Sequence, residues 1–444
     1  MRRILIYTPK LYNTMRCKNS ILLALMLIAL ACQKPHRQNG FGEMTSTSGF
    51  GTVVDGPWQS HEYTTTPNLF SDGINLYVSW IKRDSVLSYL YYSRFYQNTW
   101  SEPERVALGE DWFVNWADFP QFSAYNGTLM ATFLKKSDSG TYTYDIFYSL
   151  KRDDEPWSLP QKLHRDNVKA EHGFVSIAPS QRGFLVSWLD GRYTQVAPDD
   201  HNKAPTSDIH QSHGAGAMSI RGITVSYDGT LGPESLIDDR VCDCCQTAIA
   251  VDEIGGAVVA YRDRSRKEIR DISLKKGSPK SGWSDPVSTS DQWGIAGCPV
   301  NGPSIDAFGN QLSLAWFTAA QDNPSVHVAF SAMDTLQLTP AIRMDSGAAI
   351  GRVDVVQLSE EAAVISWVEP QGEEDFVRAQ WVNNRGQKGP LLTPSQTSSS
   401  RASGFPRLAR HGDLFYLATT RSTPGGSSKI GLISWPLSVV FPAD

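Results

Sequence analysis

Four cysteines fall in two short segments, Arg240-Val-Cys242-Asp-Cys244-Cys245-Gln-Thr and Trp293-Gly-Ile-Ala-Gly-Cys298-Pro. Thiols at that density either pair with one another or ligate a soft ion such as copper or zinc. An even count in an exported chain points to two disulfides; three connectivities are open, and joining Cys244 to Cys245 would demand a strained vicinal ring. The Cys-x-Cys-Cys spacing is tighter than the usual zinc knuckle, yet Cys242, Cys244, Cys245 and Cys298 stand as candidate metal ligands beside the disulfide reading. Upstream, Asp199, Asp200, His201, Asp208, His210 and His213 crowd one stretch, in which His210 and His213 could ligate one metal ion. His172, in Glu171-His-Gly, is a further candidate. Arginine supplies a third chemistry, because its planar fork binds carboxylates bidentately. Arg262, Arg352 and Arg401, with Asp354 and the ring of Trp293, are the candidate ligand-binding residues; Trp112 and Trp116 offer further stacking faces. The competing role for these arginines is internal salt bridging, and for the tryptophans internal packing.

A repeat positions these groups. Leu76-Tyr-Val-Ser-Trp80, Leu129-Met-Ala-Thr-Phe133, Phe184-Leu-Val-Ser-Trp188, Ala257-Val-Val-Ala-Tyr261, Leu312-Ser-Leu-Ala-Trp316, Ala363-Val-Ile-Ser-Trp367 and Phe415-Tyr-Leu-Ala-Thr419 are versions of one strand. They recur at roughly 51–55 residues, with one interval of about 73 that marks an insertion between Leu189 and Met218. Four short strands fit each period, which predicts an all-β propeller of four-stranded blades. The 35 Gly and 25 Pro suit such a turn-rich chain. The repeats predict seven blades, the last completed by a strand from Thr52–Gln59 so that no sheet edge stays open. With strands a to d running from centre to rim, a–b and c–d turns share one face, and b–c and d–a loops share the other. The cysteines, histidines and arginines above all fall in or beside b–c or d–a loops, so one face is expected to carry the chemistry.

The c–d turns hold Trp100-Ser-Glu-Pro103, Trp157-Ser-Leu-Pro160 and Trp283-Ser-Asp-Pro286, with weaker copies at Ser226-Tyr-Asp-Gly-Thr-Leu-Gly-Pro233, Leu338-Thr-Pro340 and Gly389-Pro390. They resemble degraded Asp-boxes, the Ser-x-Asp-x-Gly-x-x-Trp hairpins of sialidase-like propellers, a family with six blades; six is therefore the alternative count. The resemblance covers nearly all of the chain after the N-terminal region. It implies a glycosidase site with an arginine triad, a Tyr nucleophile activated by Glu, and an Asp acid/base. Arg262, Arg352 and Arg401 are the residues that would stand for the triad, Asp118 or Asp354 for the acid, and Tyr261 for the nucleophile. The family's opening Arg-Ile-Pro is absent. Cys-Asp-Cys-Cys and Gly-Cys-Pro also resemble segments of sialidase-like envelope lipoproteins.

The N-terminal region reads as an export signal. Arg2, Arg3, Lys10, Arg16 and Lys18 precede the apolar run Ile21–Leu30, and Ala31-Cys32 follows. A Cys directly after a small residue resembles a lipobox, so residues 1–31 are expected to be a signal peptide, Cys32 the lipidated residue, 32–48 a polar tether, and 49–444 the propeller. Gln33 in place of Asp favours the outer membrane, periplasmic or surface side. A net charge of −5 and the absence of a Lys/Arg-rich run argue against nucleic acid as a partner. The chain is expected to be a monomer that meets the membrane only through its lipid. The leading function is a ligand-binding envelope protein that recognises a glycan or a protein through the loop face. An exo-glycosidase of sialidase type and a copper- or zinc-binding envelope protein are the alternatives.

Overall fold

The computed structural model describes residues 51–58, 63–194, 216–252, 255–422 and 427–441. The signal segment, Cys32, the tether, His210 and His213 lie outside the described residues.

Seven antiparallel sheets form the blades. The first contains Tyr63–Ser71, Leu76–Arg83, Ser88–Tyr96 and Thr99–Trp100, with Glu104–Gly109 also paired to its third strand. The second contains Phe122–Tyr125, Thr128–Lys136, Tyr144–Arg152 and Gln161–Lys162, and the third His172–Ser180, Gly183–Asp190, Met218–Val225 and Ser235–Val241. The fourth contains Ala248–Val251, Ala257–Arg262, Ile272–Ser278 and Gly282–Trp283, with Val287–Ser288 beside its third strand. Ser304–Phe308, Gln311–Thr318, Ser325–Ala332 and Ile342–Arg343 make the fifth, and Gly351–Gln357, Ala362–Gln371, Glu374–Asn383 and Leu392–Thr397 the sixth. The seventh takes Arg407–His411, Leu414–Ser422 and Ser428–Pro436 from the end of the chain and its outer strand, Thr52–Val54, from the beginning. Thr52, Val53 and Val54 pair with Ser434, Ile433 and Leu432. Innermost strands touch their neighbours all the way round, including Tyr63–Ser71 against Arg407–His411, so the ring is closed.

Sequence periodicity produces this because every blade buries both faces. Apolar clusters sit at the junctions between adjacent blades: Trp188 of the third blade packs with Ile146 and Tyr148 of the second, and Trp367 of the sixth with Val328 and Phe330 of the fifth. A strand covered on both faces reads as a nearly continuous apolar run, which is how the second strands look. The aromatic at the end of that run fills the wedge between blades.

The outer turns have a common clasp. In the Trp-Ser-x-Pro copies, Ser101, Ser158 and Ser284 donate their N–H to the carbonyls of Arg94, Leu150 and Lys276 at 2.8, 2.7 and 2.8 Å. Their Oγ atoms accept the N–H of the same three residues at 3.0, 3.0 and 3.1 Å. Thr339 does both toward Phe330, whereas Gly232 and Gly389 keep only the backbone half, toward Thr224 and Trp381. The hydroxyl thus explains the sequence motif: it satisfies an otherwise open strand N–H as the chain reverses.

Three first strands share a bulge at their loop-face end, where Thr66, Phe174 and Arg352 adopt φ of 49°, 52° and 53°. Bulges there re-aim side chains toward the face.

Candidate functional site

On the b–c/d–a face a pocket of about 550 Å³ is walled by residues of seven loops, among them Asn115–Asp118, Tyr142, Tyr144, Glu171, Asp243, Cys244, Arg264, Arg270, Cys298 and Arg401. Asp118 precedes the first strand of the second blade, Tyr144 opens the third strand of that blade, and Glu171 precedes the first strand of the third. Their convergence follows from topology, since d–a and b–c loops of neighbouring blades emerge side by side.

The Tyr144 hydroxyl lies 2.8 Å from Asp118 Oδ2 and 2.8 Å from Glu171 Oε1, with all three side chains buried. A phenol has one proton and can donate it to only one carboxylate. The other contact needs a proton from a carboxylic acid, so the unit holds a shared carboxyl proton. Burial raises Asp118 to about 7, against the opposing hydrogen bonds from Tyr144 and the Phe174 N–H. Burial also raises Glu171 to about 8, with the charges of Asp118 and Asp243 adding to it and the Tyr144 bond opposing. Burial and the two carboxylates push the Tyr144 phenol well above its usual value. Gly173 makes the approach possible: a Cβ there would stand 1.9 Å from Asp118 Oδ2 and 2.8 Å from the Tyr144 ring. Asp118 Oδ1 is fixed by the Phe174 N–H at 2.7 Å.

The cations of the pocket differ in availability. Arg264 is forked onto Asp243 and Glu268, and Arg270 is held by Glu268. The Arg401 side chain is exposed, and its guanidinium has no partner among the described residues. Trp116 lines the same pocket as a half-buried ring stacked on Phe405, with the Arg352 guanidinium over it at 5.3 Å.

Two of the arginines expected to bind ligand are structural instead. Arg262 is 1% exposed; its guanidinium donates to the carbonyls of Asn301 (2.9 and 2.8 Å), Arg270 (2.6 Å) and Phe317 (2.7 Å), and it lies over the ring of Trp293 at 4.9 Å. Trp293, itself buried, is thereby occupied and presents no stacking face. Arg352 donates to the carbonyls of Ser398, Ser399, Ser400 and Gly404, which fixes the loop that carries Arg401. Asp354 is buried, accepts from Ser304 and the Leu408 N–H, and is paired with Arg407 along the axial channel rather than in the pocket. Tyr261 is buried with its hydroxyl on Asp238 at 2.8 Å, away from the pocket, which removes it as a nucleophile. Trp112 is buried against Phe133. Arg401 remains as the candidate open to a ligand.

Cys244 and Cys298 form a disulfide that ties two neighbouring d–a loops. Cys242 and Cys245 are free and buried, their sulfurs 3.4 Å apart. The disulfide withdraws two of four thiolates, and Arg270 Nη1 stands 3.3 Å from Cys242 Sγ. A guanidinium in that place opposes a metal cation and, with the disulfide, weighs against copper or zinc here, although the sulfurs of Cys242, Cys244 and Cys245 lie within 4.8 Å of one another.

His172 belongs to a separate buried cluster between the second and third blades. Its ring stacks on His164 at 3.8 Å, with Asp145 and Asp166 bridging the two rings at opposite ends and Arg192 holding Asp166 and Asp190. Parallel rings cannot both aim an in-plane lone pair at one ion, so this is a carboxylate-bridged imidazole pair. Burial works against the His172 cation, but Asp145 and Asp166 outweigh it and raise the group to about 9. Its stabilising effect is therefore complete below the unfolded value of 6.5 and fades as pH rises through about 9. Thermal melting from pH 6 to 10 should show an alkaline loss in the native protein that His172→Gln lacks; parallel curves would disprove it.

Sequence reasoning passed over Tyr144 and Glu171. The available signals were positional: Tyr144 follows a b–c loop, and Glu171 adjoins the singled-out His172.

No family profile and no curated protein matches the chain. Similar solved structures include a puromycin hydrolase mutant (12% identity, 84% of this chain and 52% of that one, TM-score 0.49). A Hadza microbial sialidase matches at 13% identity, over 69% of this chain and 63% of that one, with a TM-score of 0.39. The α-L-arabinanase of Penicillium chrysogenum matches at 11% identity, over 89% of this chain and all of that one, with a TM-score of 0.44. The chain thus spans about half of the puromycin hydrolase.

Proposed function

We propose that the loop-face pocket binds a carboxylate-bearing glycan and that Asp118, Tyr144 and Glu171 move the proton that cleaves its glycosidic bond. The observation that carries this reading is the Tyr144 hydroxyl held at 2.8 Å by two buried carboxyls of raised pKa, at the wall of an open pocket. A carboxylic acid that keeps its proton near neutral pH can protonate a leaving oxygen, while its ionised neighbour takes a proton back. Tyr beside Glu, with Asp in the same unit, is also the set of residue types that the sialidase resemblance calls for. Arg401 supplies the open cation. The N-terminal pattern supports export and lipid attachment at Cys32, which would place the pocket among envelope glycans.

Fluorogenic glycosides of sialic and uronic acids test the reading. Wild type should release fluorophore, and Glu171→Gln and Asp118→Asn should each slow release by about 10²-fold or more. No turnover of any acidic glycoside at high protein concentration would overturn the hydrolytic reading. Glycan binding that persists there and is lost in Arg401→Ala would leave a binding propeller.

A further inference from the structure

The four cysteines differ in exposure in a way that static cross-links do not require. Cys244 and Cys298 are half-buried and line the pocket, whereas Cys242 and Cys245 lie behind them at 0% and 2% exposure. The sulfurs of Cys242, Cys244 and Cys245 all fall within 4.8 Å of one another. Cys242-x-x-Cys245 is a short loop whose thiols already touch at 3.4 Å. Arg270 sits 3.3 Å from Cys242 Sγ, while Cys245 has no cation at that distance among the described residues. Burial raises both thiols; at Cys242 the Cys245 hydrogen bond and the Arg270 and Arg262 charges reverse the effect, whereas at Cys245 the neighbouring sulfur adds to it. The buried pair therefore contains one thiolate nucleophile and one protonated thiol.

We propose that these cysteines form a thiol–disulfide exchange relay, in which the buried pair Cys242/Cys245 reduces the pocket-facing Cys244–Cys298 bond and so presents a dithiol to a disulfide-bearing substrate. In the first step the Cys242 thiolate attacks Cys244 Sγ; a Cys242–Cys244 bond forms, the Cys244–Cys298 bond breaks, and Cys298 leaves as thiolate. In the second, Cys245 gives up its proton to Cys298 and attacks Cys242 Sγ, which releases Cys244 as thiolate and closes Cys242–Cys245. One disulfide and two thiols are present before and after, so no outside oxidant is needed. The exposed pair then reduces an external disulfide to two thiols and returns to Cys244–Cys298, leaving the protein with two disulfides. An external dithiol restores the starting state by reducing the Cys242–Cys245 bond through the same relay in reverse. Exchange of this kind needs a thiolate near a disulfide sulfur and an accessible exit, and the geometry supplies both.

The test uses the full chain with Cys244 bonded to Cys298 and with Cys242 and Cys245 as thiols, prepared if necessary by adding one equivalent of dithiothreitol to protein in which both pairs are oxidised; label on Cys17 and Cys32 is read separately. Native protein is treated with N-ethylmaleimide and its disulfides are mapped by mass spectrometry. The relay requires label to accumulate on Cys244 and Cys298, with Cys242–Cys245 recovered as the disulfide. Cys242→Ser should slow that labelling by at least about tenfold. Cys245→Ser, which keeps the nucleophile, should stop halfway, with Cys242–Cys244 bonded and Cys298 labelled; it answers the question even if the first variant fails to fold. Label confined to Cys242 and Cys245 after unfolding, with Cys244–Cys298 intact throughout, would overturn the proposal, as would a stoichiometric metal ion on the thiols that blocks labelling.

Discussion

Replacing Tyr144 by Phe is expected to lower turnover of an acidic glycoside by about 10²–10⁴-fold and to shift the working pH upward. The ring stays, including its stack on Phe113 at 4.1 Å, so the change isolates the hydroxyl. That hydroxyl lowers the pKa of both Asp118 and Glu171. In the native protein one acid is ionised and the other protonated between about 7 and about 8, so the rate should fall on either side of that window. Without the phenol both values rise, and the window moves to higher pH with them. The two carboxyls interact, so the profile reports the pair as a unit. The check is the pH dependence of kcat/KM for both proteins. An unchanged profile with unchanged rate would take Tyr144 out of the proton path.

The second large effect is on stability. Arg262→Ala should cost about 3–5 kcal/mol, read as a lower urea midpoint at unchanged slope. The loss would strand the carbonyls of Asn301, Arg270 and Phe317, which come from two blades, and would bare the inner face of Trp293. Arg401→Ala, in the loop before the seventh blade, should stay within about 0.5 kcal/mol of wild type, because its side chain is exposed and has no partner among the described residues. The contrast separates a guanidinium that holds the face together from one that faces a ligand. Equal and small effects for both would contradict the hydrogen-bond assignment of Arg262.

The same contrast shows where sequence reasoning works. Seven second strands ending in Trp80, Phe133, Trp188, Tyr261, Trp316, Trp367 and Thr419 were legible because each fills an equivalent wedge, and equivalent wedges select similar side chains. The chemically distinctive face was legible too, since chain order alone decides which loops share a side. What a given arginine does on that face was not. Arg262, Arg352 and Arg401 occupy similar positions after or before strands, yet two find backbone carbonyls and one finds none among the described residues. All but one of those carbonyls, that of Arg270, belong to segments 39 to 55 residues distant, and Arg352 reaches its own from a bulge that no residue type announces. Tyr144 and Glu171 were hidden for the same reason, and Asp118 was named only through the family resemblance: Asp118 and Glu171 lie 26 and 27 residues from Tyr144 in separate loops, and only the angle between two blades brings them onto one proton.

The way the ring is fastened has a further consequence. Thr52–Val54 engages its partner through only three residue pairs, and those partners lie about as far away in the chain as the fold allows. Six sheets can form from neighbouring sequence, but the seventh must await both ends, so this seam is the slow, long-range event in folding. It is also where the ring is most easily unzipped. Clipping the chain after Val54 would bare the edge of Ser428–Pro436, a row of open backbone donors and acceptors beside a buried apolar face. Such an edge accepts any extended segment, so a nicked molecule would recruit the same strand from a neighbour and link the two rings.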